Sequence, residues 1–416
     1  MTLKTQPMKE NLHLTRAQFL VRAAALGLLV TATAPAAASA APGAGGGAEA
    51  APSGGGGGLG GGAPGSAAGR GSARSAAGGR GLAFKGVAYD VGTGFLGDDS
   101  RVRWSRGLMR GEVRAIKERL NANWVSVYGS DVQRLGETAE EALRAGLKVS
   151  VQPRAFDQPQ EEALEQLRET ARVVERLRGK YRQEVILVVG CEFMLFTPGI
   201  VPGADFFERV EYLTKGEFDM AELQRKLGVY VAKAVKVARS NFKGRITYGA
   251  ASDLEEIDWS LFDIVGLDYY SYHADRTGHT KELAPFKRWQ KPIMILEFGC
   301  CTFTGAPQLG GMGWDIVDFT VDPVQIKPGY YRDEQEQADH LRHMLEVFTE
   351  EGFLGAAMYT FISPDAPHRK ERKYDEDIAA FSLCKVIRQT SSDPASKYRW
   401  EPKKSFHAVS DFYATC

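Results

Sequence analysis

From residue 84 onward, the apolar positions of this chain follow two rhythms that take turns. Short β-branched or continuously apolar runs occur at "FKGVAYDVG" (84–92), "ANWVSVYGS" (122–130), "LKVSVQPRAF" (147–156), "EVILVVGCEF" (184–193), "GRITYGAAS" (244–252), "DIVGLDYYSY" (263–272), "PIMILEFGC" (292–300) and "LGAAMYTFISP" (354–364). Between them, apolar residues recur every three or four positions in 110–120, 137–146, 159–181, 221–242 and 332–352. The first rhythm predicts strands and the second amphipathic helices. Gly146 and Gly352 stand where helix C-caps are expected. Eight strands alternating with helices predict an α/β fold of the (β/α)8 TIM-barrel type. The connection between the fifth and sixth strands is short, with only "DLEEIDWSLF" (253–262) available for a helix. A doubly wound open sheet is the structural competitor, but no G-x-G-x-x-G or P-loop pattern follows any strand.

Upstream of the first strand the pattern changes. Lys4, Lys9, Arg16 and Arg22 precede a short apolar stretch, 23–40, that ends in Ala38-Ser39-Ala40. This predicts a signal peptide over 1–40, and hence a secreted protein. In "LTRAQFL" Ala17 stands where a twin-arginine motif has its second arginine, which leaves the Sec and Tat routes both open. The apolar core is shorter than the ~20 residues a bilayer needs, so an uncleaved anchor is the alternative rather than the expectation. Residues 41–80 are almost entirely Gly, Ala, Ser and Pro and predict a disordered linker, with cell-wall attachment an open role. That leaves 81–416 as the barrel domain.

Composition narrows the partners. Lys+Arg and Asp+Glu are both 52, so the formal charge is zero, which argues against nucleic acid and against an anionic membrane surface. The five cysteines, at 191, 300, 301, 384 and 416, have neither zinc-site nor disulfide-framework spacing. Buried free thiols are expected, with one pair between Cys191 and Cys300 or Cys301 left open. No cofactor and no metal is expected. His340 and His343 share a helix face without a third ligand and read as surface residues, and "HRKERKYDEDIAAF" (368–381) reads as a solvated loop.

The candidate chemistry sits where strands end. "EVILVVGCE" and "IMILE" each place a glutamate, Glu192 and Glu297, at the lip of a fully apolar run. In a barrel those are the C-terminal ends of the fourth and seventh strands, and they meet at one mouth. Two carboxylates flanking a sugar are what glycoside hydrolysis needs: one protonates the departing oxygen, and the other attacks the anomeric carbon or activates water. The alternative is a pair of structural carboxylates at the barrel rim, tied by Arg154.

Glutamates ending strands four and seven, with a tyrosine on strand six, resemble the clan A, or 4/7, superfamily of glycoside hydrolases. The resemblance implies that Glu192 is the acid/base, Glu297 the nucleophile, and Tyr269 or Tyr270 the group hydrogen-bonding that nucleophile; it also implies retention of configuration. Two positions depart from that pattern. Cys191 stands where the family has an asparagine that binds the sugar 2-hydroxyl, and strand eight carries Tyr359 and Phe361 where the family has tryptophan. The openings "FKGVAYDVGTGF" and "NANWVSVYGSD" are similar to actinobacterial secreted proteins labelled abortive-infection or glycosyl-hydrolase-like.

Further candidates are Asp90, Tyr128, Arg154, Tyr269, Tyr270, Tyr272, Trp314 and Tyr359, all at predicted strand ends or in the loops beyond. Asp90 either binds a sugar hydroxyl or caps its own loop. Arg154 either touches substrate or pairs with a glutamate. Tyrosines in "LDYYSYH" (267–273) either stack on a pyranose or plug the barrel. Trp314, in a glycine-rich loop after strand seven, is either a moving lid or a hydrophobic plug. Two functions remain in play: a secreted retaining glycosidase, and a glycosidase-like barrel that binds glycan or a cell-surface partner without turnover. A phage-defence role is the further possibility carried by the abortive-infection resemblance.

Overall fold

The computed structural model describes residues 81–95, 98–216 and 218–415. The expected signal (1–40), linker (41–80) and Cys416 lie outside the described residues. Eight parallel strands close into a barrel: β1 (Phe84–Asp90), β2 (Trp124–Gly129), β3 (Lys148–Pro153), β4 (Val185–Cys191), β5 (Arg245–Ala251), β6 (Val265–Asp268), β7 (Ile293–Phe298) and β8 (Gly355–Met358). Spatial order follows chain order, and β8 returns to β1 with Gly355 opposite Phe84.

Helices α1 (Arg106–Glu118), α2 (Val132–Arg144), α3 (Gln160–Lys180), α4 (Phe206–Thr214), α5 (Met220–Asn241), α6 (Arg276–Leu283), α7 (Glu334–Glu350) and α8 (Lys404–Thr415) lie between and after the strands. Between β5 and β6 there is only a single 3-10 turn, Trp259–Leu261. An antiparallel hairpin, β9 (Cys384–Arg388) with β10 (Tyr398–Pro402), follows the barrel. Helix starts are set by short polar caps. Asp131 accepts from the amides of Gln133 and Arg134 and so caps α2, an arrangement worth about 1 kcal/mol. Gly146 and Gly352 adopt the left-handed backbone expected of a C-cap, φ 82° and 72°.

Strand periodicity decides what faces the axis. On β1, Phe84 faces the barrel interior, with Asp90 in phase at the mouth, while Val87, Tyr89 and Val91 face the helices; β2 alternates in the same way, with Trp124 inward and Val125 and Val127 outward. Trp124 fills the bottom of the barrel, edge-on to Phe84 at 5.7 Å, with its indole N–H donating to Ser150 Oγ at 3.1 Å. Gly86 is needed there, since a Cβ would lie 2.2 Å from the indole. Truncating a buried tryptophan of this kind costs about 3–5 kcal/mol.

Two strands break the alternation, and they are the strands that carry the glutamates. In β4 the register against β5 slips between Val188 and Cys191. In β7 it slips past Leu296 against both β6 and β8, so Leu296 and Glu297 both turn inward. Such bulges re-aim side chains beside active sites.

Above the mouth, a second apolar cluster joins 300–326 to 378–381, including Cys301, Phe303, Phe319, Ile378 and Phe381. This corrects the solvated-loop expectation for 368–381: Asp375 and Asp377 are buried. Arg332 Nη2 lies 2.8 Å from Asp375, 2.9 Å from Asp377 and 3.2 Å from His368 Nδ1, and Lys403 Nζ lies 3.1 Å from Asp377. His368, Asp375 and Asp377 are close enough to ligate a metal, but the guanidinium already supplies the cation they share. His340 and His343 are half-buried on α7 rather than fully at the surface, and His343 packs on His279, their ring centroids 5.8 Å apart. Cys191, Cys300, Cys301 and Cys384 are buried free thiols.

Candidate active site

The inward positions at the strand ends converge on a cavity of about 810 Å³. Asp90, Tyr128, Arg154, Glu192, Tyr270, Tyr272, Glu297, Trp314 and Tyr359 all line it. Tyr269 does not, which corrects its placement in the site. On β6 the alternation sends Leu267 and Tyr269 outward and Asp268 and Tyr270 inward. Tyr269 is buried against Phe348, with its hydroxyl 2.8 Å from both Glu282 Oε2 and His279 Nδ1.

Glu297 is held from two sides. Arg154 forms an ion pair with Oε1, and the Tyr270 hydroxyl donates to Oε2 at 3.0 Å. Two donors aimed at two oxygens suit a carboxylate and not a carboxylic acid. Arg154 is itself fixed: its Nε donates to Gln152 Oε1 at 2.6 Å, and its guanidinium lies 3.8 Å from the Tyr128 ring centroid. Tyr128 in turn stacks on Tyr359 at 5.7 Å. Arg154 therefore takes the ion-pair role of its two sequence readings.

Glu192 lies in the opposite environment. Burial pushes its carboxyl up to about 7, helped by the negative charge of Asp253 and opposed by Arg154. Its backbone is left-handed, φ 43° and ψ 49°, a conformation that costs a non-glycine residue about 1 kcal/mol. A support beneath it holds that strain. The Phe193 amide donates to the Tyr248 hydroxyl at 2.6 Å, that hydroxyl donates to Glu255, and Glu255 also accepts from the Met194 amide at 2.9 Å. Burial raises the Glu255 carboxyl to about 8. Glu255, Tyr248 and Gln152 were not legible as site residues, because each acts through a partner on another strand or loop. The pairing of Glu255 with a strand tyrosine carries no local sequence signal.

Asp90 caps its own loop, accepting from the Gly92 amide at 2.8 Å and the Ser100 hydroxyl at 2.5 Å, while still lining the cavity. Trp314 belongs to a packed wall: it meets Phe207 edge-on at 5.9 Å, and the adjacent Gly313 leaves no room for a Cβ against Cys301 Sγ, 2.8 Å away. The segment 301–332 thus borders the cavity without filling it. Phe206, Phe207 and Phe156 complete an aromatic rim.

Among solved structures, the chain is similar to a GH113 β-1,4-mannanase, at 16% identity and a TM-score of 0.52, over 81% of this chain and 99% of that one. It is also similar to a GH2 β-galacturonidase from Eisenbergiella tayi (14%, TM-score 0.47, 80% of this chain, 52% of that one) and to a β-glucuronidase from Ruminococcus gnavus (13%, TM-score 0.46, 80% and 49%). The chain spans about half the length of these last two. No protein-family profile matches it, and no curated protein sequence does. The likeness to the mannanase and the closed eight-stranded sheet define the class of fold, a (β/α)8 TIM barrel. No helix among the described residues is long and apolar enough to cross a membrane.

Proposed function

We propose that this protein is a retaining glycoside hydrolase. Glu192 protonates the departing glycosidic oxygen and then deprotonates water, and Glu297 attacks the anomeric carbon to form a glycosyl-enzyme intermediate. The observation that carries this reading is the opposed treatment of the two glutamates at one mouth. Glu297 receives two donors fit for an anion, while Glu192 is held as an acid up to about pH 7. A pair driven apart in this way divides acid from nucleophile. The open aromatic-rimmed cavity supports turnover over the binding-only alternative, which a filled mouth would favour. Export to the cell exterior, from the reading of residues 1–40, belongs to the same proposal.

The test is a panel of aryl glycosides assayed with the full-length chain, followed by proton NMR of the first-formed product anomer. Retention on any sugar supports the assignment; inversion removes Glu297 as nucleophile. With the reacting sugar in hand, Glu192→Gln should lose about 10²–10⁴-fold in kcat/KM on a poor leaving group and little in kcat/KM on dinitrophenolate, which leaves without a proton, while kcat on the latter falls because no base activates the water.

A further inference from the structure

The cavity has an unbalanced charge lining. Besides the two glutamates it is lined by Asp90, Asp253, Asp268 and Asp365, and among the described residues its only basic side chain is Arg154. Arg154 is committed to Glu297 and Gln152. Asp90 is satisfied by Gly92 and Ser100. Asp268 differs from both: it is 2% exposed, and neither of its carboxyl oxygens has a hydrogen-bond partner.

Its position is constrained as well. Asp268 ends β6, opposite Ala251 on β5 and Glu297 on β7. Gly249 leaves the space that its carboxyl occupies, because a Cβ there would fall 2.7 Å from Asp268 Oδ2 and 3.0 Å from Cys191 Cβ. The carboxyl therefore lies between the end of β4, which carries Glu192, and Glu297. Buried polar groups are almost always paired, and one without a partner in a ligand cavity calls for an explanation. Burial and the neighbouring Glu192 push this carboxyl well above the usual carboxylate range. A cation brought by the ligand would draw this carboxyl back to its charged form and supply the missing donors.

Resting on the glycosidase reading above, we propose that the substrate is a glycan with free amino groups, and that Asp268 binds the ammonium of the sugar seated between Glu192 and Glu297. An ammonium offers three N–H donors to two empty oxygens. The same lining disfavours uronic acids, which would need a free arginine or lysine that the cavity does not offer.

The test is isothermal titration at pH 6 of the full-length chain carrying Glu297→Gln. The probes are β-1,4-glucosamine and α-1,4-galactosamine tetramers, their fully N-acetylated forms, and cellotetraose. At least one amino tetramer should bind ten-fold or more tighter than its N-acetylated form and than cellotetraose, and should weaken as salt rises. Adding Asp268→Asn, which keeps the shape, should abolish that preference, with thermal unfolding to confirm the fold. Equal affinity for amino and N-acetyl forms overturns the proposal, as does a preference that survives Asp268→Asn or a failure of both amino tetramers to bind. The two readings separate cleanly. A neutral glycoside hydrolysed with no amino preference leaves the hydrolase and removes the amine site. Selective amine binding with no hydrolysis by the unsubstituted chain does the reverse.

Discussion

Two adjacent tyrosines should give opposite phenotypes. Tyr270 faces the cavity and donates to Glu297 Oε2 at 3.0 Å, whereas Tyr269 faces the helices and bonds Glu282 and His279 at 2.8 Å. Tyr270→Phe removes a hydrogen bond to a charged group, worth about 1.5–3 kcal/mol. If the nucleophile needs that donor for its alignment, kcat/KM falls by roughly 10–150-fold, at about 1.4 kcal/mol per factor of ten. Tyr269→Phe should leave kcat/KM within about two-fold, because no atom of that residue lines the cavity. Its loss falls on stability, about 1 kcal/mol and a melting shift of about 2 °C. The assay is kcat/KM on whichever aryl glycoside reacts, beside thermal unfolding by circular dichroism. Equal kinetic losses in the two variants would refute the inward–outward assignment on β6, and with it the placement of Tyr270 on the nucleophile.

Other consequences follow from the same geometry. Since Glu192 works as an acid with its carboxyl raised to about 7, kcat/KM should fall about ten-fold per pH unit above that value on substrates whose leaving group needs a proton, and this limb should be absent on dinitrophenyl glycosides. The raised value also means that the folded chain holds a proton the unfolded chain has lost. Stability attributable to Glu192 is therefore present below its ordinary value of 4.5 and falls as pH rises through about 7; a melting temperature for Glu192→Gln below the native one at pH 8 would contradict this. Gly249→Ala should cut turnover at least ten-fold and cost about 1–3 kcal/mol of stability, because the new methyl meets Asp268 at 2.7 Å and Cys191 Cβ at 3.0 Å; unaltered kinetics would show that Asp268 plays no part. Arg332→Met should cost about 3–5 kcal/mol by leaving Asp375 and Asp377 buried without their shared cation; a shift under about 2 °C would mean that Lys403 suffices.

Most of the fold was legible because strand and helix periodicities are strong here and the strands are apolar enough to stand out. The eight predicted strands all appear in chain order, each trimmed at one or both ends, because hydrogen bonding to a neighbour rather than apolarity decides where a strand stops. The reading missed α4, α6 and α8 and the β9–β10 hairpin. Helix α6 has little apolar periodicity of its own, since "RTGHTKEL" is held by the Asp275 cap and by burial of His279 and Leu283. Both glutamates were visible as charges at the lip of apolar runs. What decided between Tyr269 and Tyr270 was the phase of β6, readable from Val265 and Leu267 pointing outward. The bulges in β4 and β7 were not readable, because they depend on the register of neighbouring strands. Asp268 could be placed at a strand end, but its lack of any partner is a property of the surrounding space.

The central claim is that Glu297 forms a covalent bond to sugar. The direct measurement is intact mass and peptide mapping after incubating the full-length chain, and its Glu297→Gln variant, with a panel of 2-deoxy-2-fluoro-glycosyl fluorides. The account predicts a mass increase of one fluorosugar, mapped to Glu297 in the peptide "PIMILEFGC" and absent from the variant. An adduct on another residue, or an adduct that persists in Glu297→Gln, would contradict it.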